Sequence, residues 1–135
     1  MRDRAAAGQA RSLARRLLVA DGCVVFAAGA LTAAFAAWLG DAFVVIAPPL
    51  IVALAVVLIV YGAALALAAR LVPVHRQLLL AVVAVNVVWV VAVGLLLGVA
   101  GGQMPERGRW LLTGSAVVAG TFAALEWMVP RRFLP

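Results

Sequence analysis

The sequence predicts an all-α fold, a four-helix transmembrane bundle, and two observations carry this prediction. First, the chain of 135 residues is 67% hydrophobic and only 12% charged, whereas a typical soluble domain has about half apolar and a quarter charged residues. Second, the apolar residues are gathered into four runs, each close to the ~20 residues that a helix needs to cross a hydrocarbon core. We therefore expect residues 1–135 to form one integral membrane domain.

The four runs predict the positions of the helices. The predicted spans cover about 17–39, 48–71, 77–99 and 110–129, and residues 1–16 form a basic segment ahead of them. The first run is longer than the ~7 to 15 apolar residues of a secretory signal. We therefore expect it to be a retained anchor, with cleavage of a signal peptide near the Ala-rich stretch Ala33 to Ala37 as the alternative.

Turn-forming residues separate the predicted spans. Gly40 and Asp41 predict a tight turn after the first span, and Pro48 with Pro49 predicts the start of the second, because proline is tolerated best in the first helical turn. Residues 43–47 then lie at the membrane interface or form a kinked first turn. Pro130, followed by Arg131 and Arg132, predicts the end of the fourth span.

The arginines predict an orientation. The formal net charge is +6, and all the positive side chains are arginine, placed at the termini and in short loops. More of them flank the side that carries both termini and residues 70–76 than the opposite side. Positive charge marks the cytoplasmic side, so the sequence predicts cytoplasmic termini in a multi-pass protein of the bacterial inner membrane, and no nucleic-acid partner.

No residue pattern typical of catalysis is found in the sequence. His75 is the only histidine and Cys23 the only cysteine, so a histidine-based metal cluster and a Ser-His-Asp arrangement are both ruled out. The glycines near residue 101 lack the lysine and hydroxyl residue of a phosphate-binding loop. We expect neither an enzyme nor a cofactor or metal site.

Polar residues within the spans are the candidate functional residues. Asp21 and Glu126 each lie about five residues from the arginine-rich end of a span, roughly 7 to 8 Å deep at 1.5 Å per residue. Asn86 lies deeper in the third span, with Trp89 one turn further on the same face. The sequence predicts a polar pocket of Asp21, Asn86, Trp89 and Glu126, with Tyr61 or Thr32 as the expected partner of the Asn86 amide.

Two interpretations of these polar residues stay open. In the first, which the shallow depth of the acids favours, both acids pair with arginines and Asn86 only joins helices. The protein is then a helix-packing accessory or structural subunit. In the second, Asp21, Asn86 and Glu126 line a cytoplasm-facing pocket of a small transporter or channel, with residues such as Arg15, Arg76 or Arg131 at its mouth.

Small residues predict close helix packing. The pairs Gly29 with Ala33, Gly94 with Gly98 and Gly120 with Ala124 are spaced four residues apart, a pattern that lets membrane helices approach each other. The expected partners of the protein are the lipid bilayer and, as an open alternative, further copies of the chain or other membrane subunits.

Several segments together resemble a known group of proteins. These are residues 84–90 (AVNVVWV), residues 122–126 (FAALE), the closing Arg131-Arg132 and the acid just inside the first span. They are similar to those of uncharacterised small bacterial four-span integral membrane proteins. That resemblance brings no activity with it, but it implies that Asp21, Asn86, Trp89 and Glu126 belong to one pattern.

The layout of the chain is also similar to that of small multidrug transporters. Those proteins depend on a glutamate deep in their first helix. Here the first span has the shallow Asp21 as its acid, so the resemblance does not extend to the residue on which transport depends.

Overall fold

The helices follow the predicted apolar runs. The computed structural model describes the backbone of residues 2–133 and the side chains of residues 8, 9 and 11–129. The described residues form five α-helices: α1 (Arg2–Ala34), α2 (Ala36–Ala42), α3 (Pro48–Leu71), α4 (Arg76–Ala100) and α5 (Glu106–Phe133), with a 3-10 turn at Gly101–Gln103 between the last two.

Four of these helices are long and apolar enough to cross a membrane. The candidate spans are Arg11–Ala34, Pro48–Leu71, Arg76–Gln103 and Glu106–Val129. Many large apolar side chains on them point away from the bundle, among them Leu50, Val88 and Val99, as expected where the surrounding solvent is lipid. The all-α, four-span prediction is confirmed, and the architecture is that of a multi-pass membrane protein.

The predicted turn at Gly40 and Asp41 is wrong, since both residues lie within α2. Helical hydrogen bonds continue past the break at Phe35, because Phe35 N–H donates to Leu31 O at 2.9 Å and Leu39 N–H donates to Phe35 O at 2.9 Å. Gly40 therefore does not end the helix, because the backbone hydrogen bonds continue around it. The chain turns instead within residues 43–47, and α3 begins at Pro48 as predicted.

Helix α5 extends beyond the predicted fourth span at both ends. Helix α5 begins at Glu106 rather than at Trp110, directly after Pro105, whose carbonyl accepts the N–H groups of Gly108 and Arg109. It also continues through Pro130 to Phe133. A proline removes one backbone donor, and that loss does not oblige the chain to leave the helix within its final turn.

The long helices pack as two pairs. Helix α1 packs mainly against α3 and α4 mainly against α5, and a smaller interface between α1 and α5 joins the pairs. Glycines allow the close approach within the first pair: a Cβ at Gly22 would lie 2.8 Å from the backbone of Gly62 and Ala66, and a Cβ at Gly62 would collide with the backbone of Phe26. Any larger residue would push α1 away from α3.

Two apolar layers divide the interior along the helix axes. The layer nearer the arginine-rich end contains Ala14, Leu18, Leu65, Ala69, Leu79, Val82 and Val129. The opposite layer contains Val93, Met104 and Leu112. Along α4, Val82 and Val93 lie on either side of Asn86, so the residues between the two layers occupy an enclosed middle zone.

Candidate functional site

Three polar side chains from three helices meet in this middle zone. The Asn86 amide nitrogen Nδ2 donates to Asp21 Oδ2 at 3.1 Å and to Glu126 Oε2 at 3.4 Å. We call Asp21, Asn86 and Glu126 the carboxyl–amide cluster. The structure thus brings together three of the four predicted site residues, and it places both acids on one donor atom.

Local helix geometry explains how the acids reach the interior. Successive residues of an α-helix point about 100° apart, so Gly22 can face α3 at close range while its neighbour Asp21 points toward α4 and α5. Glu126 lies one turn from two buried residues of its own helix, Ala123 and Val129. Each acid therefore belongs to the buried face of its helix, as lipid's inability to satisfy polar groups requires.

The carboxyl–amide cluster is closed to the surroundings. The exposed fractions of Asp21, Asn86 and Glu126 are 1%, 5% and 0%. Shielding of this kind lowers the local dielectric and strengthens the interactions among the three groups. The sequence predicted a pocket open to the cytoplasm, whereas the three side chains form a closed cluster in this conformation.

The expected pairing of the acids with arginine is not found among the side chains of residues 8, 9 and 11–129. Asp21 and Glu126 are bonded there to Asn86, whereas the Arg15 guanidinium donates to the backbone carbonyl of Arg70 at 3.4 Å. Arg131, another predicted neighbour, has a side chain outside the described residues. No described cation therefore balances the two carboxyl groups.

The two acids of this cluster lack a compensating positive charge among the described residues. Two carboxylates that share one buried site repel each other, and a single neutral amide cannot supply the missing positive charge. In addition, Glu126 Oε1 is buried and has no hydrogen-bond partner among the described residues. A proton or a cation would neutralise one carboxylate and would also give Glu126 Oε1 a bonding partner.

The amide of Asn86 bonds neither Tyr61 nor Thr32, the two partners expected from the sequence. Thr32 Oγ1 donates to Ala28 O of its own helix at 2.8 Å, so its hydroxyl has a hydrogen-bond partner without contacting a second helix. Tyr61 Oη is buried and unpartnered in the described part of the chain. The acids are stronger acceptors than a hydroxyl, which accounts for the observed choice.

Trp89 belongs to a separate contact one turn from the cluster. Its Nε1 donates to Ser115 Oγ at 3.3 Å, and Ser115 in turn donates to Leu112 O at 2.8 Å. These bonds join α4 to α5 above the carboxyl–amide cluster without touching an acid. Trp89 therefore positions the two helices that carry Asn86 and Glu126.

The described side chains contain no cluster typical of a metal site. No group of three or more His, Cys, Asp and Glu residues comes together within them. The carboxyl–amide cluster offers two carboxyl groups and an amide, a set that is small for a divalent cation preferring six or more oxygen ligands.

Comparisons with protein-family models, with curated proteins and with solved structures found no match for the chain. The functional argument therefore depends on the geometry of the carboxyl–amide cluster and its surroundings.

Proposed function

We propose that this protein is a small membrane transporter or channel in which the carboxyl–amide cluster binds and passes on a proton. The observation that carries the proposal is the meeting of two buried acids, Asp21 and Glu126, on one neutral amide. Ionisable residues inside membrane spans are costly, and they mark ion and proton pathways in many membrane proteins.

Among the described side chains no cation is paired with either acid, which favours this function over simple packing. A structural acid in a membrane gains most from a fixed arginine, which neutralises it permanently. Asp21 and Glu126 bond instead to an uncharged group, at least among the described residues, so their charge can change when a proton arrives or leaves. The unpartnered Glu126 Oε1 is the natural acceptor for that proton.

Movement between the two helix pairs would open the closed cluster. Asp21 lies on the α1/α3 pair, whereas Asn86 and Glu126 lie on the α4/α5 pair, and the two pairs meet through the smaller α1/α5 interface. Protonation weakens the repulsion between the acids, and deprotonation restores it. Rocking of one pair against the other, as in larger transporters, would then expose the acids to one side at a time.

Proton flux through the purified protein tests this function directly. Liposomes containing the wild-type chain and a trapped pH-sensitive dye should acidify when a potassium diffusion potential drives protons inward, whereas protein-free liposomes should not. A flux equal to that of protein-free liposomes in both directions of the potential would contradict the proposal. A sodium gradient imposed at constant pH, in place of the potassium diffusion potential, tests whether the protein carries sodium instead.

A structural role is the second candidate, and one observation favours it. The bonds of Asn86 join α1, α4 and α5 at a single point, as a residue that only holds a bundle together would. In that case the protein is a packing subunit of a larger complex. The absence of proton and sodium flux from a folded wild-type protein would select this candidate.

We also propose that the protein lies in the bacterial inner membrane with both termini in the cytoplasm. Arg11, Arg15, Arg70 and Arg76 are exposed at one end of the bundle, and positive residues concentrate on the cytoplasmic side. At the other end the Arg107 guanidinium lies over the Trp38 ring, 5.5 Å from its centroid, a pairing suited to the outer interface.

Cysteine labelling in intact cells tests this orientation. In a Cys23→Ala background, Gly102→Cys should react with a membrane-impermeant maleimide added outside, because Gly102 is exposed and a Cβ added to it would meet no other atom within 4 Å. His75→Cys, also exposed, should react only after the cells are opened. The reverse labelling pattern would show that the termini are outside.

A further inference from the structure

Tyr61 places a third buried oxygen group beside the carboxyl–amide cluster. Its ring packs against the apolar layer that contains Leu65, Val82 and Val129, next to the zone of the acids and the amide. Its hydroxyl is buried and has no hydrogen-bond partner among the described residues. Buried tyrosine hydroxyls normally have a partner, so this one points to a partner other than the described side chains.

The second unpartnered atom lies in the same zone. Glu126 Oε1 is buried without a bond in the described part of the chain. The apolar layer against which Tyr61 packs contains Leu18, Val82 and Val129, each about one helical turn from a member of the carboxyl–amide cluster. A buried polar group without a hydrogen-bond partner destabilises the fold. Two such groups in one zone are most simply satisfied by one small species that bonds to both.

We infer that Tyr61 is the fourth residue of the proton site, and that the site takes one hydrated proton between Tyr61 Oη and Glu126 Oε1. This inference rests on the proposed function. With Tyr61 included, each of the four long helices contributes one polar side chain to the site: Asp21 on α1, Tyr61 on α3, Asn86 on α4 and Glu126 on α5.

The chemistry of these groups fits a hydronium ion. Hydronium has three O–H donors, and Tyr61 Oη, Glu126 Oε1 and a carboxylate oxygen of Asp21 can each accept one. Transfer forms an O–H bond on Glu126 Oε1 and breaks one in hydronium, leaving neutral water bonded to Tyr61. A metal cation would find few free oxygens here, because one oxygen of each acid is already bonded to Asn86.

The titratable groups around the site are few. Helix α1 presents Asp21, α3 presents Tyr61 and α5 presents Glu126, whereas α4 presents the uncharged Asn86. The Arg15 guanidinium donates to the backbone carbonyl of Arg70 rather than to an acid. The site therefore changes its charge through the two acids, and Tyr61 acts as a positioning residue that holds the water.

Infrared difference spectroscopy of the wild-type protein in liposomes, recorded between acidic and alkaline pH, tests the role of Tyr61. We expect a carboxylic acid C=O band that Glu126→Gln removes, and a water O–H band that moves in H₂¹⁸O. Tyr61→Phe keeps the ring packing and removes only the hydroxyl. It should abolish the water band and move the C=O band to higher wavenumber, because a hydrogen bond is lost.

Thr121→Val is the matched control, since it removes a hydroxyl five residues before Glu126 that bonds Val117 O of its own helix at 2.8 Å. It should leave both bands unchanged. If both bands of Tyr61→Phe equal those of the wild type, the assignment of Tyr61 is wrong even where the wild type conducts protons. If instead the wild type shows no proton flux, the proposed function fails, whatever the bands show.

Discussion

Glu126→Gln and Asp21→Asn should each reduce proton flux to the level of protein-free liposomes. Either substitution keeps the size of the side chain and removes the group that takes up the proton. The remaining acid then lacks the second carboxyl with which it exchanges a proton across the junction of the helix pairs. Flux measured with a trapped pH dye, normalised to the amount of folded protein, is the readout.

Two exposed acids provide matched controls for this experiment. Glu106 and Asp41 lie at the opposite end of the bundle and are exposed, and they can be changed to the same amides. Glu106→Gln and Asp41→Asn should conduct like the wild type. If Glu126→Gln and Asp21→Asn keep wild-type flux, the carboxyl–amide cluster is not the proton site and the flux uses another route.

Asn86→Leu should destabilise the protein more than any other single change to the cluster. Asn86 Nδ2 is the shared donor for both acids, so its loss leaves two buried carboxyl groups without it. Leaving a buried polar group without its hydrogen-bond partner costs about 1–3 kcal/mol. The free energy of unfolding in mild detergent, followed by far-UV circular dichroism, should fall by an amount in this range at neutral pH.

Two further variants show whether this loss comes from the acids. Gln77→Leu removes an exposed amide from the same helix and should change stability by less than about 0.5 kcal/mol, as surface changes usually do. The triple variant Asp21→Leu, Asn86→Leu, Glu126→Met replaces the whole cluster by apolar groups and should regain most of the wild-type stability. Equal destabilisation in the single and triple variants would mean that Asn86 stabilises the bundle through packing alone.

Local patterns were sufficient for the four long apolar helices, but not for α2 or for the two ends of α5. The number of spans follows from apolar length, because each backbone polar group in lipid must bond within its own helix. The inward direction of Asp21 and Glu126 follows for the same reason. The start of α3 at Pro48 was also predictable, since proline fits only the first turn without loss of a bond.

The close packing of α1 on α3 was predicted only in part. Gly29 does lie at this interface, but the glycines nearest the site, Gly22 and Gly62, belong to no pair spaced four residues apart that the sequence singled out. Gly94 and Gly98 do form such a pair, but a Cβ added at either would meet no atom of another helix within 4 Å among the described residues. A small residue allows close approach without specifying which helix approaches, and that depends on the order in which the helices pack.

Composition and periodicity thus establish a four-span α-helical membrane protein with two acids turned inward, because the penalty for polar groups in lipid acts on each helix separately. They do not establish that Asp21 and Glu126 share the Asn86 amide, that Trp89 bonds to Ser115 instead, or that Tyr61 packs against the apolar layer next to the acids. The hydrogen bonds among these contacts join residues 26 to 65 positions apart in the chain. They depend on how α1, α3, α4 and α5 are arranged around one another, and no local pattern encodes that arrangement.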